Sequence, residues 1–379
     1  MKTKYSGYEW FGDIPETWHM LPIRALYDER RDKNLNNEVT QVLSLLKDIG
    51  IVPYEEKGDI GNKMTDTPEN HKIVEPGDLV VNKMNAVIGS LGISKYKGTV
   101  SQVYFVLRLQ NINCNNEYLE YIFKYRGFQR SLKRISKGIM EIRESIDWNE
   151  FKNLRIPIPP KNEQDEIVEY IKAQEEKINR FIELLKEQRQ SVITKSVTKG
   201  IRKDVELKET GIDWLGQIPM NWEIRRLKRV SKSIQTGSTP KSENAEVHFE
   251  GGEINWFTPG DIKDLFINNS NRKITQKAID DGVVTLFPAK SVLVIGIGGT
   301  LGKVSMIEVD GGSNQQINSV TFNDEVLPEF GLYYLSAFES ILKSISNAAT
   351  LAILTQSDLK DMLFLLPSLE EQKQIVSHI

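Results

Sequence analysis

The phrase "GYEWFGDIPETW" at residues 7–18 returns at 211–222 as "GIDWLGQIPMNW". Gly7, Trp10, Gly12, Ile14, Pro15 and Trp18 are matched in register by Gly211, Trp214, Gly216, Ile218, Pro219 and Trp222. A second pair of phrases is duplicated as well. "LRIPIPPKNEQDEIVEYI" (154–171) and "MLFLLPSLEEQKQIVSHI" (362–379) set Pro159 against Pro367, Glu163 and Gln164 against Glu371 and Gln372, and Ile167 and Val168 against Ile375 and Val376. The stretches between barely align, apart from "SLG" (90–92) against "TLG" (300–302). A chain of 379 residues has room for two cores, so it reads as one frame used twice around different centres.

Each part of the frame has a physical reading. Tryptophans and an Ile–Pro pair at fixed offsets suit an irregular segment clamped to a core by its indoles, with proline holding an extended path. The second phrase is a helix start: Pro159–Pro160 ends a strand, and Ser368 with Glu371 has the spacing of a capping box. From Glu163 no Gly or Pro intervenes until Gly200, which stands where a left-handed cap belongs. Ile167, Ile171, Gln174, Ile178, Phe181, Leu185, Gln188 and Val192 recur at alternating steps of four and three, which predicts a coiled-coil seam. Two glutamines in that seam would fix register or partner at some cost in stability. A helix of about 37 residues makes a rod of about 55 Å, long enough to act as a spacer.

Composition narrows the function classes. Hydrophobic residues at 39% and charged residues at 27% place the chain among globular proteins. "MKTKYSGYEW" has no signal-peptide core, and the apolar run "SVLVIGIGGTLG" (291–302) is too short and glycine-rich to span a bilayer. A cytoplasmic location is expected, with no membrane partner. Cys114 is alone and the four histidines, His19, His71, His248 and His378, are scattered, so no metal set is expected. "GDLVVNKM" (77–84), "VYFVLRL" (103–109), "SVLVIGIG" (291–298) and "NSVTF" (318–322) read as strands, and 116–136 and 327–346 as helices. The expected fold class is α+β, two repeated mixed α/β domains joined by a long coiled-coil helix.

Catalytic motifs are not found. In "GIGGTLGKVS" (296–305), Ile297 and Val304 stand where a phosphate loop needs Gly and Ser or Thr, and Leu301 stands at the third glycine of a dinucleotide fingerprint. No HExxH, G-x-S-x-G or amide–Pro–Pro–aromatic tetrapeptide occurs. The formal net charge of −3 does not announce a nucleic-acid binder, so local charge has to decide. "KYRGFQRSLKRISK" (124–137) has no acid, and on a helix Arg126, Arg130, Lys133 and Lys137 would share one face. "RRLKRVSKS" (225–233), beginning Arg225–Arg226, does the same for the second cassette. Such stripes suit a phosphate backbone as well as a solvated surface. The polar turns "VNKMNAVIGS" (81–90), "SKYKGTVSQ" (94–102), "TGSTPK" (236–241) and "GGSNQQINS" (311–319) offer side chains of the kinds that read base edges. The candidates are Lys83, Asn85, Ser90, Lys95, Lys97, Gln102, Lys241, Asn314, Gln315 and Gln316, with Lys303 beside them. Turns also need Asn, Ser and Gly for their own geometry.

Taken together, the two opening phrases, "IPIPPKNEQDEIVEYI" with its long helix to "VTKG", "LPSLEEQKQIVSHI", and "TGSTPK" followed by "INWFTPGDI" (254–262) resemble the specificity subunits of type I restriction-modification systems over nearly the whole chain. The resemblance implies target recognition domains at 1–160 and 201–366, a spacer helix at 161–200, and the start of a second conserved helix at 367–379. It implies that each domain reads one half of a split double-stranded DNA target. It also implies that the helices dock two methyltransferase subunits and, through them, the restriction subunits. No catalysis is implied in this subunit: S-adenosylmethionine, ATP and Mg²⁺ belong to the partners. In the resembled family a second long helix runs antiparallel to the first, whereas barely two turns of it precede Ile379. The sequence leaves open a trimmed chain or a helix supplied by another chain, including self-association through the seam. Two other classes stay open, a structural coiled-coil adaptor without DNA specificity and a fragment of a fused restriction–methyltransferase enzyme.

Overall fold

The computed structural model describes residues 2–47, 49–57, 70–137, 145–202, 204–241, 243, 245–346 and 352–379. The chain divides into two compact units, Met1–Asn179 and Arg180–Ile379, with the boundary inside the long helix. Each unit is a mixed α/β body.

In the first unit, β1 (Tyr27–Glu29), β2 (Leu79–Asn82), β3 (Leu91–Ile93) and β4 (Tyr104–Leu109) form an antiparallel sheet in the order β1-β4-β2-β3. The near-continuous apolar runs in β2 and β4 follow from burial on both faces. Leu79, Val81, Phe105 and Leu107 point into one core with Phe123, Phe128 and Phe151. Val80 and Val106 point into another with Leu43, Val74 and Val100. The second unit repeats the scheme with other strands: β5 (Ser231–Thr236), β6 (Ile254–Phe257), β7 (Phe266–Ile267), β8 (Arg272–Ile274), β9 (Val292–Ile295), β10 (Val304–Ile307), β11 (Gly311–Ser313) and β12 (Ile317–Phe322). They make a five-stranded sheet, β5-β12-β9-β10-β7, and a three-stranded one, β8-β6-β11. Val292 and Val294 of β9 face one core and Leu293 and Ile295 the other.

The duplicated phrases are joined in space. His19–Pro22 pairs antiparallel with Arg155–Ile158, and Glu223–Arg226 pairs in the same way with Leu363–Leu366. The two ends of each cassette are therefore one ladder, which closes the divergent centre into a loop hung from a fixed base. The opening phrase is a small hairpin in both copies, Thr3–Tyr5 on Asp13–Pro15 and Leu207–Glu209 on Gln217–Pro219. Gly12 and Gly216 turn it at φ 61° and 58°, a left-handed backbone that suits glycine. Trp222 is fully buried in its copy, whereas Trp18 is half-buried and its indole N–H donates to Glu163 Oε1 at 3.0 Å.

The long helix, α3, runs Lys161–Lys199, about 58 Å at 1.5 Å per residue, and ends on Gly200 at φ 71°. Its two ends are packed and its middle is bare. Gln164 and Val168 are buried in the first unit, and Ile193, Ser196 and Val197 in the second, whereas Ile178, Phe181 and Leu185 are exposed by 58, 61 and 47%. Among the seam residues, Ile167, Ile171 and Gln174 are half-buried while Gln188 and Val192 lie exposed. The buried face at the C-terminal end thus runs through Ile193 rather than Val192. A helix of 3.6 residues per turn drifts from a strict heptad by about 20° per repeat, enough over this span to turn the seam off the packed face.

The 116–136 segment corrects the expected single helix. It is α1 (Asn116–Lys124), then Tyr125 with extended backbone (ψ 122°), then α2 (Arg126–Ser131), a 3₁₀ turn at Leu132–Ile135 and a strand at Ser136–Lys137. Tyr125 is held out of helical geometry by tertiary contacts, its ring stacked on Phe11 and its hydroxyl donating to the Trp10 carbonyl at 3.0 Å. Arg126, Arg130, Lys133 and Lys137 therefore form no single helical stripe. The 225–233 segment is likewise not a helix but the end of the Glu223–Arg226 strand, a 3₁₀ turn and the start of β5.

Candidate nucleic-acid interface

Two of the polar turns singled out from sequence meet in the second unit. Gly237 N–H donates to the Ile317 carbonyl at 2.9 Å and Ser238 N–H to the Ser313 carbonyl at 2.8 Å, laying the 236–241 turn along the 311–319 turn. A Cβ at Gly237 would collide with Ser313 Oγ and the Ser313 and Asn314 carbonyls, which explains a glycine there. The Thr239 hydroxyl donates to Gln315 Oε1, and Asn314 Nδ2 to Gln316 Oε1 at 3.0 Å. Gln315, Thr239 and Lys241 are exposed on this joint surface.

Below it lies the Trp256 ring, whose indole N–H donates to the Ser238 carbonyl at 3.1 Å. Arg272, directly across the β6–β8 ladder from Trp256, sets its guanidinium 5.1 Å from that ring and 4.0 Å from Phe249. Sequence reasoning missed Arg272. No local pattern marks it, because its partners, Trp256 on the neighbouring strand and Phe249 at the end of a short helix, are distant in sequence.

Other candidates are distributed differently. Lys303 lines a cleft with Arg189, Asp264 and Glu339 beside α3. Glu223 sits on Arg225 at 2.6 Å, and Asp361 pairs with both Arg226 and Lys228, at 2.6 and 2.9 Å. Lys228 and Arg226 hold the Asp361 carboxyl below the ordinary carboxylate range. The 225–233 stripe, acid-free in sequence, is thus met by acids in space.

In the first unit, Lys83 stands 4.5 Å over the Phe105 ring. The Lys72 ammonium next to it is pushed down chiefly by burial, with Lys83 and Arg31 adding to that and Glu29 opposing it. Asn85 is exposed, whereas Ser90 is 4% exposed and directs its hydroxyl to the Leu45 carbonyl, so it supports the turn from inside. Lys95 is exposed, Lys97 pairs with Glu75 at 2.9 Å, and Gln102 donates to the Asn70 carbonyl at 3.2 Å. Arg130 and Lys133 are exposed, and Arg126 donates to Gln129 at 3.1 Å. The Lys137 side chain lies outside the described residues.

Comparisons with known proteins agree with this duplicated plan. The family model described as the type I restriction modification DNA specificity domain matches twice, at residues 34–194 and 219–379. The MjaX protein of Methanocaldococcus jannaschii, named a putative type I restriction enzyme specificity subunit, is 25% identical over 97% of this chain and 87% of its own length. The MjaIX specificity subunit of the same organism is 32% identical over 46% of this chain and 40% of its own length. The crystal structure of the HsdS subunit from Thermoanaerobacter tengcongensis aligns over 96% of this chain and 88% of that one, at 19% identity and a TM-score of 0.39. Among the described residues no helix is long and apolar enough to cross a membrane. With both cassettes matched and built on the same closed ladder, the chain belongs to the family of type I restriction-modification DNA specificity subunits.

Proposed function

We propose that this chain reads a two-part sequence in double-stranded DNA, one part with the divergent centre of each unit, and itself carries out no chemistry. The observation that carries the reading is the pair of closed ladders, the same base built twice under centres that differ. That is the economy expected when the scaffold is shared and the two half-sites are not. The facing turns at 236–241 and 311–319 supply hydrogen-bonding side chains on one surface, as base reading requires. In this reading the bare middle of α3, Ile178 to Leu185, receives helices of two methyltransferase subunits, which bring S-adenosylmethionine. The restriction subunits, bringing ATP and Mg²⁺, join through them. The test is electrophoretic mobility of a random duplex pool with and without the methyltransferase subunit, followed by sequencing of the bound fraction. Two enriched half-sites at fixed spacing are expected. A bound fraction without sequence preference would leave only an adaptor role.

A second reading, self-association through the same helix, has one observation in its favour: six apolar side chains and two glutamines at heptad spacing, with the middle of that stripe exposed among the described residues.

A further inference from the structure

We infer that Arg272 is a specificity-determining residue of the second unit, one that presents a fixed guanidinium to the acceptor edge of a guanine in the major groove. The inference rests on the DNA-reading function proposed above and names a residue for it. Its side chain is exposed, yet two aromatic rings hold it in place. Phe249 and Trp256 hold the guanidinium at 4.0 and 5.1 Å from their ring centroids, a pair of cation–π contacts that restrict where the group can sit. Among the described residues the guanidinium has no hydrogen-bond or ion-pair partner, so its five donors are open to a ligand.

The backbone that carries Arg272 is held by a polar network. Asp261 Oδ1 accepts from Asn271 N–H at 2.9 Å and from Asn271 Nδ2 at 2.7 Å, while Oδ2 accepts from the Thr258 N–H and hydroxyl, both at 2.8 Å. Asn255 Oδ1 accepts from Ser270 N–H and Oγ at 3.2 and 3.1 Å, and Asn255 Nδ2 donates to the Asn268 carbonyl at 3.1 Å. Buried Asn255 and Asp261 thus brace the Asn268–Asn271 turn immediately before Arg272. The Trp256 ring that backs the guanidinium also donates to Ser238, next to the Thr239–Gln315 contact. Arg272 therefore belongs to the same surface as the two facing turns. A guanine offers O6 and N7 as paired acceptors that a planar guanidinium fork meets bidentately, the commonest specific contact of an arginine in the major groove.

The experiment is selection of a random-sequence duplex pool by the full chain, alone and with its methyltransferase subunit, for the wild-type protein and for Arg272→Lys and Arg272→Gln. The lysine keeps the charge and the glutamine keeps a polar stem, and thermal melts of both confirm folding. Both variants are expected to lose discrimination at one guanine position of one half-site, by roughly ten- to a hundred-fold, with every other position retained. A uniform fall in affinity with a salt slope lower by about one would make Arg272 a phosphate contact and overturn the inference. An unchanged motif in both variants would overturn it too, while leaving the DNA-reading function standing. If the wild-type chain selects no sequence in either state, that function fails and the inference falls with it.

Discussion

Gln164 and Gln372 occupy the same place in the two cassettes and make the same bonds. Each is fully buried at the start of a helix. Gln164 donates to the Pro159 and Asn113 carbonyls at 2.8 and 3.2 Å and accepts from Asn115 N–H at 2.7 Å. Gln372 donates to the Pro367 and Glu325 carbonyls at 3.0 and 2.9 Å and accepts from Leu327 N–H at 2.8 Å. The amide ties the end of the closing strand to the start of the helix that packs on the sheet. It explains why glutamine follows Pro–x3–Glu in both copies, since an apolar residue there would take the side-chain partner from one buried and two part-buried backbone groups. Replacing Gln164 by Leu is expected to destabilise the first unit by about 3 kcal/mol, the scale of unpaired buried polar groups. Gln372→Leu should do the same to the second. Urea unfolding followed by amide hydrogen exchange separates the two, and loss confined to the unit carrying the change is the expected result.

Arg130 and Lys133 are exposed and close in sequence. Reversing both to Glu should weaken binding to all duplexes alike and flatten its salt dependence, because phosphate contacts carry no sequence information. Fluorescence anisotropy across a salt series checks this, and unchanged affinity at low salt would make them solvated surface charges.

The middle of α3 packs on neither unit, so its length can be changed without repacking a core. One heptad inserted between Arg180 and Glu187 lengthens the helix by about 10 Å. The spacer of the selected DNA target should then lengthen by roughly three base pairs at 3.4 Å each, with both half-sites kept. A spacer that stays the same would mean that something other than this helix fixes the separation.

Phe181→Asp or Leu185→Asp should abolish assembly through α3, with methyltransferase or with a second copy, while leaving both units folded. Sedimentation of the chain at tens of micromolar, with and without the methyltransferase subunit, reads the result. A wild-type monomer that also ignores the methyltransferase would rule out the helix as a docking surface.

Gly200 ends α3 with φ 71°, and a Cβ there would lie 3.1 Å from Glu371 Oε1. Gly200→Ala is expected to cost about 1 kcal/mol through the left-handed backbone alone. Thermal melting should show it as a loss of a few degrees.

The repeat, the helix from about 161 to 199 with its glycine stop, and the main strands were written in local patterns: proline and glycine at fixed places, apolar alternation and heptad spacing. Those signals are local because backbone geometry and side-chain periodicity are local. What tertiary structure alone decided is where distant segments meet. The basic run at 124–137 has the spacing of a helix face, yet Tyr125 leaves the helix because Trp10 and Phe11, over a hundred residues earlier, offer its ring and hydroxyl better partners. The acids that neutralise Arg225 and Arg226 come partly from Asp361, brought near by the closing ladder. The contact of Arg272 with Trp256 exists only because β8 pairs with β6 in one register, and Phe249 is brought to it from a separate helix. The sequence by itself determined that one scaffold is built twice. Which polar side chains of each centre share a surface was decided by strand pairing, whose partners are chosen by burial of whole sheet faces rather than by the residues beside them.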